Sequence, residues 1–157
     1  MIEPKQLRDL IIIPALERID KYSDAAVNLL LGTCAQESAM GRFIHQLGSG
    51  PACGIFQMEP ATHDDIWDNY LAYNEDLKKM AIDSTAYANS ESLIHNLKYA
   101  AIMCRIHYLR VPEALPDKDD IVGMAEYWKE HYNTYQGAGS MDEFIDNYQK
   151  YVKKVAL

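Results

Sequence analysis

Apolar residues recur at helical spacing along most of this chain, and that periodicity is the strongest constraint on what it can fold into. The clearest stripe is Leu93, Leu97, Ala100, Cys104 and Tyr108, at i, i+4, i+7, i+11 and i+15, which puts all five on one helix face. Pro112 and Pro116 end it, because proline pushes the preceding residue out of the α region. Ala26, Leu29, Leu30 and Thr33 form a second stripe behind Ser23 or Asp24, either of which can cap a helix. Ile121, Met124, Ala125, Trp128 and Tyr132 form a third. Leu7, Leu10, Ile11 and Ile13 open the first helix, which Pro14 should kink or divide. Thr62-His63-Asp64-Asp65 reads as a capping box before Ile66, Trp67, Tyr70 and Leu71. Ser140-Met141-Asp142-Glu143 reads as another before Phe144, Ile145, Tyr148 and Val152. Residues 73–89 divide between helix and polar loop. The expectation is one mostly α domain over residues 1–157, of about six or seven helices with little or no sheet.

One stretch breaks the helical pattern. Residues 47–60 hold Gly48, Gly50, Pro51, Gly54 and Pro60, which leaves room only for tight turns or a short hairpin. The helix before this stretch should stop near Ser38-Ala39-Met40, since Gly41 follows and glycine favours the position just past a helix end.

Charge and cysteine content narrow the function classes. Across 157 residues, 15 Lys and Arg stand against 23 Asp and Glu, a formal net charge of −8. Such a chain lacks the cationic surface that phosphate backbones need, so no nucleic-acid partner is expected. The longest apolar run, residues 10–16, contains Pro14 and is far short of a membrane span. The opening Met1-Ile2-Glu3-Pro4 has no basic stretch leading into an apolar one, so no secretory signal is expected and synthesis in a cytoplasm is. Cys34, Cys53 and Cys104 cannot all pair within one chain and lack CxxC spacing. They read as small buried residues, with a Cys34–Cys53 bridge left as the alternative. His45, His63 and His95 fit no metal-ligand spacing, and no cofactor or metal is expected.

Glu37 is the first candidate for chemistry. It lies near the end of an apolar helix, flanked by Cys34, Ala35 and Ala39, and faces the Gly-rich stretch. A carboxyl among apolar neighbours keeps its proton to higher pH, because its charged form loses solvation. A neutral carboxylic acid is what glycosidic bond cleavage requires, since the leaving oxygen must be protonated as the bond breaks. A surface glutamate in a helix end is the competing reading.

Glu37-Ser38, followed by Gly54-Ile55-Phe56-Gln57 and Pro60-Ala61-Thr62, resembles the lysozyme-like superfamily, in particular the soluble lytic transglycosylases. Gly54 and Gln57 match that family's Gly-Leu-Met-Gln segment, with Ile55 and Phe56 replacing its Leu and Met. Asn96-Leu97-Lys98-Tyr99-Ala100-Ala101 resembles its later helix. Tyr132-Asn133-Thr134 resembles its Ala-Tyr-Asn-Ala-Gly segment without the final Ala-Gly. The resemblance spans roughly residues 24–135. The wording from Gly50 through Pro60 is also similar to small phage-encoded lysozyme-like proteins, which implies a role in lysis or within a virion and virion proteins as further partners.

The resemblance implies a peptidoglycan glycan strand as substrate, cut between N-acetylmuramic acid and N-acetylglucosamine, with Glu37 as general acid and then base. Ser38, Gly54, Phe56, Gln57, Tyr132 and Asn133 become substrate-site candidates, with Ser38 expected to steady the helix end by a side-chain-to-backbone bond and Gly54 to let backbone approach closely. Gln57 offers a donor and an acceptor to a sugar, while Phe56 and Tyr132 could stack on sugar rings or sit in the core. Glu59 is the one candidate second carboxylate, because Asp65 reads as a helix cap and Asp64 as a first-turn acid. Before Pro60, Glu59 should be extended and aimed away from the groove, which favours a transglycosylase over a two-carboxylate hydrolase. A saccharide-binding or virion structural protein without turnover, and a helical adaptor for protein partners, are the readings from other classes.

Overall fold

A computed structural model describes residues 1–133 and 137–157. The described residues are mostly helical and form no strand, with only isolated bridges pairing His45 with Cys53 and Cys53 with Met58. The core is built around α3 (Asp24–Ser38), in which every residue from Ala26 to Ala35 is buried. A helix buried on all sides is held by tertiary packing rather than by amphipathic contrast. Ser23 caps it, accepting the Ala26 N–H at 3.1 Å. Gly32 lets a neighbouring helix come close, since a Cβ there would sit 2.5 Å from Phe144 Cζ.

The N-terminal rod wraps one side of α3. It runs from α1 (Pro4–Gln6) through a π segment (Leu7–Ile12) into α2 (Ile13–Arg18). Pro14 therefore does not break the rod. The wider π turn carries the chain into it, with the Ile13 N–H reaching back five residues to the Arg8 carbonyl. The same turn rotates the apolar face. Leu10, expected inward, is 66% exposed, and Ile12 is fully buried instead.

Past the Gly-rich stretch, α4 (Pro60–Asn69) begins two residues before the expected capping box. Pro60 takes the first helical position, where its missing N–H costs nothing, and Glu59 is the cap residue without a side-chain bond. Asp65 is consequently no cap; it accepts from Asn69 and pairs with Arg110. A 3-10 turn (Leu71–Tyr73) and α5 (Glu75–Ile82) follow. The long predicted stripe is divided into α6 (Ser92–His95) and α7 (Leu97–Leu109). Between them Asn96 leaves the helical region and accepts the Tyr99 N–H at 3.0 Å, a capping bond that side-chain periodicity does not reveal. The sequence periodicity therefore reads α6 and α7 as one helix where the backbone makes two.

Asp120 caps α8 (Ile121–Trp128), which continues as a π segment (Lys129–Asn133). The expected capping box opens α9 (Met141–Asn147) in full, with Ser140 and Glu143 bonding each other's backbone N–H groups. A last π segment (Tyr148–Val152) packs back on α3. Deep in the core, Asn28 holds both backbone groups of Leu157. The three cysteines are buried and free, with no Cys34–Cys53 bridge. Among the described residues, no helix is long and apolar enough to cross a membrane.

Candidate functional site

The C-terminal end of α3 is where the site begins. The helix stops with three successive left-handed residues, Ala39, Met40 and Gly41, at φ +48°, +61° and +71°. A non-glycine residue in this region is strained, so the stop must be held from outside. Ser38 does this: its buried hydroxyl bonds the Ile55 carbonyl at 2.6 Å and accepts the Gly41 N–H at 2.8 Å. The last turn of α3 is thereby tied to the stretch that follows, and Glu37 faces a groove of about 630 Å³.

The groove has four walls. Phe43 and Gln46 come from the segment just after α3, Leu47 and Ala52 from the irregular stretch, and Gln57, Met58 and Glu59 from its last turn. His107 of α7 lies on another side, with Trp128, Tyr132 and Asn133 from α8 and its π extension beside Glu37. Gly137, Ala138 and Gly139 close the last side. A Cβ on Gly139 would sit 2.7 Å from Trp128 Cη2, so only glycine lets this loop lie against the indole.

The Glu37 carboxyl is enclosed by protein except toward the groove. Burial pushes its pKa up from the ordinary 4.5 to about 7, and the Trp128 N–H, donating to Oε1 at 2.8 Å, opposes that rise. Desolvation wins, so the acid form persists to neutrality. With Oε1 accepting the indole proton, the acid proton falls on Oε2, which no described residue bonds. The Trp128 ring is fully buried and stacks on Phe144 at 5.3 Å, fixing the indole that orients the acid.

In comparisons with family models, curated proteins and solved structures, nothing matches this chain. The site must therefore be read from its own geometry.

The sequence candidates divide into two groups. Glu37, Gln57, Tyr132, Asn133 and Glu59 all line the groove. Gln57 is held at φ +47° by its own side chain, whose Nε2 donates to the Gly54 carbonyl at 2.8 Å. Its Oε1 has no partner among the described residues. Tyr132 donates its hydroxyl to the Phe56 carbonyl at 2.7 Å, pinning the π segment to the turn. Asn133 accepts from Lys129 at 2.8 Å. Glu59 is extended, at φ −71° and ψ 145°, as Pro60 requires. It nevertheless lines the groove, correcting the expectation that it would point elsewhere.

Ser38, Gly54 and Phe56 stand behind the wall rather than among the residues lining it. Ser38 steadies the helix end and Gly54 allows a close backbone approach, both as expected, and Phe56 takes the core place that was its alternative. Ser38 and Phe56 are each 1% exposed, so neither contacts a ligand. Phe56 contributes only the carbonyl that holds Tyr132. Gly54, at φ +75°, lies so close to the Leu93 carbonyl that no Cβ fits. Thr134, the end of the Tyr132-Asn133-Thr134 resemblance, lies outside the described residues.

His107 and Trp128 are groove residues that sequence reasoning missed. Trp128 reads as one more apolar residue on its stripe, and nothing local signals a bond to a residue 91 positions away. His107 sits in the last turn of α7 behind a mostly apolar helix. His63, by contrast, is core: it bonds Asp64 and the Tyr99 hydroxyl, with Trp67 closing the cluster.

Proposed function

We propose that this protein is a peptidoglycan-cleaving glycosidase of the lysozyme-like kind, with Glu37 as its general acid and base. The observation that carries the reading is the Glu37 carboxyl, kept protonated toward neutrality at the side of an open groove. The four side-chain amides of Gln36, Gln46, Gln57 and Asn133 and the rings of Phe43 and Tyr132 support it. Amides match the hydroxyl and acetamido groups of N-acetylated sugars, and aromatic rings offer flat apolar faces to them.

Glu37 Oε2 gives its proton to the glycosidic oxygen as that oxygen leaves C1 of N-acetylmuramic acid, and positive charge develops on the sugar ring. The resulting carboxylate then takes the proton of the C6 hydroxyl, whose oxygen attacks C1 and closes a 1,6-anhydro ring. This transglycosylase course is favoured because Glu59 is exposed at the groove's rim, without the enclosure given to Glu37. The second reading, a hydrolase with water as nucleophile, is favoured by the presence of Glu59 in the same groove.

Digesting purified peptidoglycan and weighing the products decides between them. The expected products end in 1,6-anhydro-N-acetylmuramic acid, and Glu59→Gln retains most of the activity. Reducing muramic ends together with an inactive Glu59→Gln would establish the hydrolase. Glu37→Gln should fold and lose about a hundredfold to ten-thousandfold in rate, the usual worth of a general acid. A fully active, folded Glu37→Gln would overturn the role given to Glu37, whereas a native chain that leaves peptidoglycan uncut would leave a binding or virion structural role.

A further inference from the structure

His107 is the one imidazole in the groove wall among the described residues. Its Nδ1 lies 2.8 Å from Arg110 Nη2. A guanidinium has donors and no acceptor, so Nδ1 must hold a lone pair. Burial, reinforced by the Arg110 charge, lowers the ring's pKa to about 4, with His131 adding to the effect and Asp65 opposing it. The ring is therefore neutral, and a neutral ring whose Nδ1 accepts must carry its proton on Nε2. Arg110 is held in turn by Asp65 on α4. The Tyr132 ring meets the imidazole edge-on, with centroids 5.0 Å apart. The ring is thus fixed from two sides, and Nε2 has no partner among the described residues.

We propose that His107 is a fixed hydrogen-bond donor into the groove, whose Nε2–H reads the carbonyl oxygen of a sugar acetamido group, with Arg110 as the positioning residue that sets its tautomer. This inference rests on the reading of the groove as a glycan site. A neutral donor suits an uncharged carbonyl oxygen, and a histidine free to take either tautomer would offer that donor only part of the time. The Arg110–Asp65 pair selects one form from outside the groove.

The test uses the full chain and two probes, the tetrasaccharide of N-acetylglucosamine and its fully deacetylated counterpart. Long-range proton–nitrogen NMR of the labelled protein at pH 6 should show His107 neutral and protonated at Nε2, and Arg110→Met should give mixed tautomers. His107→Leu should weaken binding of the acetylated probe about three- to tenfold, the worth of one neutral hydrogen bond, and leave the deacetylated probe unaffected. His107→Gln, whose amide nitrogen can stand near Nε2, should restore binding to within about twofold. A ring protonated at Nδ1, equal losses for both probes, unchanged binding in His107→Leu, or no binding of the acetylated probe to the native chain would each overturn the inference. The glycosidase reading is judged separately: native protein that cuts cell walls, with Glu37→Gln inactive, keeps it whatever His107 does.

Discussion

A carboxyl whose folded-state pKa is raised binds its proton more tightly in the native chain than in the unfolded one. For Glu37, moved from 4.5 to about 7, this fixes the sign of two pH effects. Below about pH 4.5 the group is protonated in both states and contributes no difference. Between 4.5 and 7 the unfolded chain ionises first, so native stability falls as pH rises, levelling off above about 7. A shift of this size corresponds to on the order of 3 kcal/mol at most. Glu37→Gln has no such loss, so its melting temperature should match the native protein at pH 4 and exceed it by several degrees at pH 8. Thermal unfolding at the two pH values checks this; equal melting temperatures at pH 8 would mean that the carboxyl is well solvated. Activity follows the same titration, with kcat/KM falling as pH rises past about 7 because the acid form is consumed. How much of this was legible in the sequence divides by range. The apolar setting of Glu37 is local and could be read from Cys34, Ala35 and Ala39. The Trp128 bond, the enclosure by Gly139, and the Arg110 contact that fixes His107 join distant segments and could not.

At the scale of elements, the misplacements have a common cause, which is backbone geometry that side-chain spacing does not encode. Ser140 and Ser23 were readable as caps because their partners lie within three residues. Thr62 offered the same pattern but lost to Pro60, whose fixed φ starts the helix earlier. Leu10 turned outward because a π turn adds a residue to the helical period. The Gly-rich stretch was correctly expected to be irregular, and besides lining the groove it has an architectural role. Gly54 crosses α6 at the Leu93 carbonyl in a left-handed conformation, its N–H bonded to the Ile44 carbonyl and its own carbonyl accepting from Gln57. Gly54→Ala must therefore bear both strain and a backbone clash, for a loss of at least about 2 kcal/mol. The wall that holds Gln57 and Tyr132 should shift with it. Denaturant titration and cleavage assays on this variant should fall together; unchanged stability would show that the crossing is looser than its geometry indicates.

At the scale of the whole molecule, the groove draws on segments from Gln36 to Gly139, most of the chain's length. Only the folded domain assembles it. Its lining among the described residues includes Glu37 and Glu59 but no Lys or Arg, and the chain carries a formal net charge of −8. Peptidoglycan is itself anionic through muramic and peptide carboxylates. Encounter on the proposed reading is thus between like charges, while the chemistry needs a neutral acid. Long-range repulsion acts on approach and is screened over about 30 Å at 0.01 M salt but only about 8 Å at 0.15 M. Short-range hydrogen bonds in the groove change little over that range. Raising salt from 0.01 to 0.15 M should therefore increase kcat/KM on cell walls several-fold and leave kcat nearly constant. Neutral N-acetylglucosamine oligomers should show no such dependence, which separates repulsion by the wall from a salt effect on folding. A rate that falls with added salt on walls would mean that a local cationic patch, rather than the net charge, governs approach to the substrate.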